Sequence, residues 1–481
     1  MAATSVQPVG ATTAPSPPDR RALVVPMPPD RLVSWLWAVG VTALAGVLRF
    51  TGLGKPDAKE FDEVYYAKDA HDLLRYGYER TTDNSGPSFI AHPPLGKWLI
   101  GLGEQAFGYN SFGWRVSAAV VGTLSVLVLV RVARRMTRST LLGCIAGVLI
   151  SLDGLHFVQS RVAMLDIFLM WWILVAFACL LIDRDAMRAR LAAGAPPGLR
   201  PWRLVAAVSL GCALATKWSA IWYVVAFGLL AFAWECGARR SAGIPSPVLL
   251  TAQSFAGWGA VYLVAVLAVY TAAWSGWFAS TDAYDRAYGA NAVVGWIHYH
   301  REILRFHTSL TTYHRYASLP WSWLLLARPV AYFYSSPTDC GQQYCSREVL
   351  ALGNPVLWWP FAGALVAMAW RWLARRDWRG AAVLAGVGAS FLPWLPYPHR
   401  TMFLFYALPA LPFLVLATTM CLGMVLGRPD ASPDRRLFGA IGVAAYVVLV
   451  AVTFAFFYPV LAGQTLSYVA WHHRMWFPTW I

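Results

Sequence analysis

The sequence predicts an all-α polytopic membrane protein with about eleven transmembrane helices, and three observations carry that expectation. The 481 residues are 58% hydrophobic and only 13% charged, against roughly 25% charged in soluble domains. So much apolar surface cannot be hidden in one water-soluble core of this size. Apolar runs long enough to cross a bilayer recur along the chain, and the loops between them alternate sharply in charge. Trp, Tyr and Phe make up 15%, which suits aromatic belts at two membrane interfaces.

The runs fall at 33–53, 112–130, 140–158, 162–182, 203–217, 219–236, 252–275, 355–373, 380–396, 401–426 and 437–460. Arginines crowd alternate connections: Arg131, Arg134, Arg135 and Arg138; Arg184, Arg188, Arg190, Arg200 and Arg203; Arg239 and Arg240; Arg371, Arg375, Arg376 and Arg379; Arg428, Arg435 and Arg436. Eleven spans put every cluster on one side, which the positive-inside rule makes cytoplasmic. The N-terminus is then cytoplasmic and the C-terminus extracytoplasmic. Residues 1–31, rich in Pro, Ser, Thr and Ala, read as a disordered cytoplasmic tail without a cleavable signal peptide. The membrane domain occupies 32–481. The net charge of +15 sits mostly on these loops, so lipid head groups and phosphates are the expected partners and nucleic acid is not.

Two longer regions belong to the outer side, 54–111 and 276–354. In the first, Tyr66, Ala70, Leu73, Leu74 and Gly77 recur at helical spacing, with Lys68, Asp69, Asp72 and Arg75 on the other face. Leu95, Trp98, Leu99, Leu102 and Ala106 repeat the pattern. Both segments read as interfacial helices. Five of the seven cysteines, Cys144, Cys179, Cys212, Cys236 and Cys421, read as small buried apolar residues. Cys340 and Cys345 share a short polar outer loop, where a local disulfide is expected and two free thiols are the alternative.

Ionisable groups next to the apolar runs converge on the outer leaflet: Arg49, Arg115, Asp153, His156, Arg161, Asp166 and Lys217. Charge at membrane depth is costly and marks a polar cavity or a substrate path. Just outside the first run stands Glu60-Phe61-Asp62-Glu63. Such a carboxylate pair serves as a general base, a metal site or a solvated turn. His92-Pro93-Pro94-Leu95-Gly96-Lys97 follows, its prolines stiffening a return toward the membrane. Arg161 is expected at the leaflet edge with Asp166 deeper and orienting it; the bland alternative is a snorkelling arginine. Lys217 interrupts two runs, and Arg400 sits in the rigid turn Pro396-Tyr397-Pro398-His399-Arg400. Three cations from separate spans suggest a phosphate site.

These motifs, together with Leu214-Ala215-Thr216-Lys217-Trp218 and Tyr406-Ala407-Leu408-Pro409-Ala410-Leu411-Pro412, resemble the protein O-mannosyltransferases. These are the dolichyl- or polyprenyl-phosphate-mannose–protein mannosyltransferases of the GT-C membrane fold. The resemblance runs from Arg49 to near the end of the chain. Eukaryotic members carry a β-trefoil domain in the second long outer loop, which here is too short for one; the chain resembles a bacterial member.

The resemblance implies inverting transfer of mannose from a polyprenyl-phosphate-mannose donor to Ser or Thr of unfolded secreted polypeptides, in the cell membrane and near the secretion translocon. Asp62 is the expected base, with Glu63 completing the catalytic pair. Arg161, Lys217 and Arg400 are expected on the donor phosphate, and Arg49, His92 and Asp166 shape the site or hold the acceptor. No metal and no cofactor are expected, because cations suffice for a leaving group that is already a good anion. Two rivals stay open. A GT-C transferase using the same donor class on a lipid or polysaccharide would share these residues. A lipid flippase or transporter predicts charge near the bilayer midplane and paired broken helices.

Overall fold

The computed structural model describes residues 23–428 and 430–481; most of the expected tail, residues 1–22, lies outside the described residues. The first half of the chain is helical throughout. Arg31–Phe50 (α1) precedes two helices of the first long loop, Glu63–Tyr76 (α2) and Leu95–Phe107 (α3). Then come Ser111–Thr137 (α4), Thr140–Ser151 (α5), Gly154–Gln159 (α6), Leu165–Ala192 (α7), Pro201–Thr216 (α8), Ile221–Ser241 (α9) and Pro247–Ala273 (α10). The second long loop holds Ser275–Ala279 (α11), Ala292–Ser309 (α12), Pro320–Trp323 (α13) and strands Val330–Ser335 (β1) and Cys345–Ala351 (β2). The chain finishes with Pro355–Trp358 (α14), Phe361–Arg375 (α15), Trp378–Phe391 (α16), Leu411–Leu426 (α17), Pro433–Leu461 (α18), Thr465–Ser467 (β3) and Tyr468–His472 (α19).

All eleven apolar runs fall on helical segments. Eight of these, among the described residues, are long and apolar enough to cross a membrane. The other three are short: α5 has 12 residues, α8 has 16 and α16 has 14. At 1.5 Å per residue, α5 reaches only about 18 Å of a ~30 Å hydrocarbon layer. The helices satisfy their own backbone, as a lipid solvent requires. Local signals set their ends: Asn110 accepts from the amides of Phe112 and Gly113 to start α4, and Ser139 accepts from Leu142 to start α5. The segments Leu165–Ala192 and Leu404–Leu426 are the most enclosed, while α1 and α10 lie at the periphery with leucines and valines exposed. In lipid that exposure carries no hydrophobic penalty.

The architecture is helical as expected, with one addition, a small antiparallel sheet ordered β1-β2-β3. Val330 pairs with Ala351, Ser335 with Arg347, and Cys345 with Ser467. The stretch Val330-Ala-Tyr-Phe-Tyr-Ser335 is rich in the β-branched and aromatic residues that fit a pleated surface. A disulfide joins Cys340 of the β1–β2 connection to Cys345, the first residue of β2, with Cα atoms 5.9 Å apart.

The interfacial helices stand where their periodicity put them, but the two carboxylates on the polar face of α2 are buried. Asp69 and Asp72 are each 4% exposed. Asp72 accepts from Lys68 Nζ at 2.6 Å and from the Arg80 amide at 3.0 Å. Asp69 lies 3.8 Å from Lys97 Nζ, which is also bonded to Glu79. Lys97 itself is fully buried, so α2 and α3 share an ionic seam as well as an apolar one. Gly96 permits this packing, since a Cβ there would lie 2.7 Å from Leu165 Cδ2 and 3.0 Å from Thr216 Cγ2. It lets α3 settle against the start of α7 and the end of α8, where the chemistry gathers.

Candidate active site

The end of α1 and the loop after it are organised by two arginines. Arg161, 6% exposed, donates from Nη1 to the carbonyls of Arg49 and Thr51, both at 2.7 Å, and from Nη2 to that of Gly52 at 3.0 Å. These are carbonyls at or just beyond a helix C-terminus, which lack intrahelical partners and carry the negative end of the helix dipole. Arg115 comes from α4 and is wholly buried. It grips Glu63 through Nε to Oε1 at 2.9 Å and Nη2 to Oε2 at 2.8 Å, with Glu60 at 3.2 Å beside it. Glu63 also accepts from its own turn, the Glu60 amide at 2.8 Å, and from the Ala163 amide at 2.8 Å. Its acceptor capacity is spent on tying α2 to α4 and to the loop before α7.

Between these anchors the backbone carries local strain. Phe61 adopts φ +46°, in the left-handed region where a bulky side chain is disfavoured. Its ring stacks on Tyr332 at 4.9 Å and meets Phe403 and Phe405 edge-on at 5.9 and 5.8 Å, while its amide donates to the Tyr332 carbonyl at 3.0 Å. The aromatic cluster over-determines Phe61 and so fixes the next residue, Asp62. Asp62 forms no ion pair among the described residues and stays partly exposed. Burial pushes its carboxyl up to about 6; Lys217 and a hydrogen bond from Tyr66 pull down, and Asp166 pushes up. The two adjacent carboxylates therefore differ in kind: Glu63 is saturated and Asp62 is available.

Lys217 stands where α8 ends in an extended residue before the turn Trp218–Ala220. Its Nζ lies 3.0 Å from both oxygens of Asp166 at the start of α7. It also sits 4.6 Å from the centroid of the Tyr406 ring. The expected Arg161–Asp166 pairing is thus replaced: Asp166 orients Lys217, and Arg161 turns to α1. The reason is proximity, because α8 ends beside the first turn of α7 whereas Arg161 lies against the last turn of α1.

Lys217 and Arg400 line one cavity of about 190 Å³ together with His92, His307, Trp218, Trp222, Trp394, Tyr397 and Tyr406. Arg400 donates to the His307 and Thr401 carbonyls, both at 3.1 Å, and lies 5.0 Å over the Trp394 ring. Its Nη2 has no acceptor among the described residues. His92 and His307 stand with ring centroids 5.2 Å apart, and His92 Nδ1 is buried without a partner. His307 Nε2 lies 2.9 Å from the Ala91 carbonyl. Burial holds His92 well below the usual imidazole range and His307 at about 4, with the neighbouring cations adding to both effects. Two neutral imidazoles, two cations and aromatic walls suit a phosphorylated sugar on an apolar tail.

Of the residues expected from sequence, Lys217, Arg400 and His92 line the cavity, Asp166 is paired with Lys217 behind it, and Asp62 lies within electrostatic reach of both Lys217 and Asp166. The structure places Arg161 and Glu63 in the supporting frame rather than at the cavity. Arg49 is buried with Nη2 2.7 Å from His156 Nδ1 and Nε 3.3 Å from Ser160 Oγ, so it braces α6. Sequence reasoning passed over His307, Trp218, Tyr66 and Tyr406 as functional groups. Only the last three lay inside quoted or patterned segments; His307 sits on α12, which no motif singled out.

Two family models match the chain: dolichyl-phosphate-mannose-protein mannosyltransferase over residues 39–278, and the C-terminal four-transmembrane region of protein-O-mannosyltransferase over 293–480. The chain is 40% identical to the polyprenol-phosphate-mannose–protein mannosyltransferase of Mycolicibacterium smegmatis, covering 94% of each chain. It is 41% identical to that of Mycobacterium tuberculosis, covering 94% of this chain and 93% of the other. With that of Corynebacterium glutamicum it shares 35% identity, over 95% and 96% of the two chains. Its fold is similar to the S. cerevisiae protein O-mannosyltransferase Pmt1-Pmt2 complex bound to the sugar donor, with a TM-score of 0.75 at 14% identity over 96% and 94% of the chains. ArnT from Cupriavidus metallidurans bound to undecaprenyl phosphate is similar with a TM-score of 0.53 at 18% identity, over 87% of this chain and 70% of that one. With conserved length and identity of this order, the chain belongs to the protein O-mannosyltransferase family of multi-span membrane glycosyltransferases with the GT-C fold.

Proposed function

We propose that the protein transfers mannose from polyprenyl-phosphate-mannose to Ser or Thr hydroxyls of secreted or cell-surface proteins, inverting the anomeric centre. The observation that carries this reading is the availability of Asp62, a partly exposed carboxylate raised to about 6 within electrostatic reach of the cation Lys217. Asp62 takes the proton of the attacking hydroxyl as its oxygen bonds to the anomeric carbon. The bond from that carbon to the phosphate oxygen breaks, and polyprenyl phosphate leaves with the electron pair. Lys217 and Arg400 meet the charge developing there, Lys217 as a point charge set by Asp166 and Arg400 through its uncommitted edge. His92 and His307 are placed to hydrogen-bond the donor, and the tryptophans to hold its first apolar units. Arg161 and Glu63 act at one remove, by fixing the loop that carries Asp62. The two cations supply the charge that the leaving phosphate needs, so the chemistry proceeds without a divalent ion.

Sidedness follows from the arginine clusters. The Arg-rich end faces the cytoplasm and the site faces outward in the cell membrane, where unfolded secreted polypeptides emerge near the translocon. Mannosyl transfer from the lipid donor to a Ser/Thr-rich peptide tests the reading, with NMR of the product reporting an α-linkage. Transfer only to a lipid or polysaccharide acceptor would refute it.

A further inference from the structure

A second, roomy cavity lies at the opposite end from the candidate active site. It measures about 850 Å³ and is lined by Arg135, Arg138, Arg184, Arg188, Arg376 and Arg379 against a single carboxylate, Asp185. Asp185 is shared by three of them: Arg135 Nη1 at 2.8 Å, Arg138 Nη2 at 3.0 Å and Arg184 Nη1 at 3.2 Å. Arg188 uses Nε on the Leu23 carbonyl at 2.8 Å. Arg379 is committed to Asp377 through Nε and Nη2, each at 2.9 Å. Each guanidinium has five donors, so most of the N–H groups of the other five arginines lack a protein acceptor among the described residues. Arg184 is stacked 3.7 Å from the Trp378 ring centroid and 5.7 Å from that of Trp234, which holds its charge against an apolar surface. Positive charge gathered in a partly enclosed site favours an anion, and forked donors match phosphate oxygens.

We infer that this cavity binds an anionic phospholipid of the leaflet at the Arg-rich end. The walls distinguish a lipid from a free phosphate ion. Leu23, Val24, Val25, Ala233 and Trp234 line the same space as the arginines, and Val24 and Val25 are 44% and 59% exposed. A soluble anion gains nothing from such a wall, whereas a diacyl tail covers it while its phosphodiester meets the guanidinium groups. Basic pockets between transmembrane helices recognise head groups by this combination.

The test is native mass spectrometry of the purified full-length protein in neutral detergent, with phosphatidylglycerol and phosphatidylcholine of matched acyl chains. Phosphatidylglycerol is expected to be retained at least tenfold over phosphatidylcholine, and the double variant Arg188→Gln/Arg376→Gln to lose that preference. Arg436→Gln, exposed at the same end but outside the cavity, is expected to keep it. Should the double variant fold poorly, Arg376→Gln alone, an exposed position, is expected to lower retention about threefold. Equal retention of the two lipids, a preference surviving both cavity variants, or equal loss in Arg436→Gln overturns the assignment. Inorganic phosphate raising the unfolding temperature as much as phosphatidylglycerol does also overturns it, in favour of a free-anion site.

Discussion

Arg115 holds Glu63 by two parallel hydrogen bonds, 2.9 and 2.8 Å long, in a wholly buried pair, and that grip decides which of two adjacent carboxylates is free to react. A saturated Glu63 fixes the turn, and Phe61 at φ +46° delivers Asp62 on its far side. The two residues share a sequence position to within one step and have separate jobs.

Glu63→Gln is expected to act on the fold. It replaces one acceptor oxygen with a donor facing a buried guanidinium, which costs on the order of 3 kcal/mol. Folded yield and unfolding temperature in detergent should fall, with remaining turnover tracking the amount of folded protein. A stable, inactive Glu63→Gln would instead make Glu63 a reacting group.

Arg161 and Arg400 are expected to separate in the same way. Arg400→Ala should weaken donor affinity and lower turnover roughly 10²-fold, the scale for removing one donor to developing charge, with the fold intact. Arg161→Ala removes the donors that cap α1 and should lower stability first. Lys217→Ala should resemble Arg400→Ala in turnover, because its loss also leaves Asp166 buried beside the site. Donor titrations alongside thermal unfolding on quantified protein distinguish the two classes. Equal donor-binding defects in Arg161→Ala and Arg400→Ala, at unchanged stability, would return Arg161 to the phosphate.

What was legible in the sequence, and what was not, divides by the range of the interaction. All eleven apolar runs and both interfacial helices follow from composition and a 3.6-residue period, which are local properties. The motifs group Arg161, Lys217 and Arg400 on one phosphate beside Asp62, and in the structure Lys217 and Arg400 share a cavity while Arg161 turns to α1. Partners were another matter. Lys217 meets Asp166 across 51 residues and Arg115 meets Glu63 across 52, and no periodicity encodes such distances. A guanidinium serves a helix carbonyl as readily as a phosphate, so Arg161 was chemically ambiguous until α1 was seen beside it. The ionic partner of Asp69 on α2, Lys97, belongs to another segment, so periodicity does not disclose that seam. The sheet escaped notice because β3 is three residues long and lies more than a hundred residues from β2.

Turnover is expected to fall as pH drops through about 6, because Asp62 acts as a carboxylate and burial raises its pKa to that value. The sign for stability is opposite to that of a salt-bridged acid. A carboxyl raised in the folded state binds more protons folded than unfolded, so its contribution to stability declines as pH rises from about 4 to about 6. Asp62→Asn should therefore be no less stable than the parent protein near neutral pH. A pH profile with no acid limb near 6 would remove Asp62 from the proton transfer.

Topology reporters check the orientation. A fusion after Arg135 should report cytoplasm, and fusions near Ser85 or after Trp480 should report the outside. A cytoplasmic signal at Ser85 would invert the site and exclude secreted acceptors.

The central claim, that Asp62 is the base and its neighbours are frame, is met most directly by one measurement on purified, quantified Asp62→Asn. Turnover with polyprenyl-phosphate-mannose and a Ser/Thr peptide is compared with donor affinity and unfolding temperature in the same preparation. The account predicts turnover lower by roughly 10²–10⁴-fold, the range for loss of a general base, with donor affinity and unfolding temperature retained. Near-normal turnover per folded molecule would contradict it.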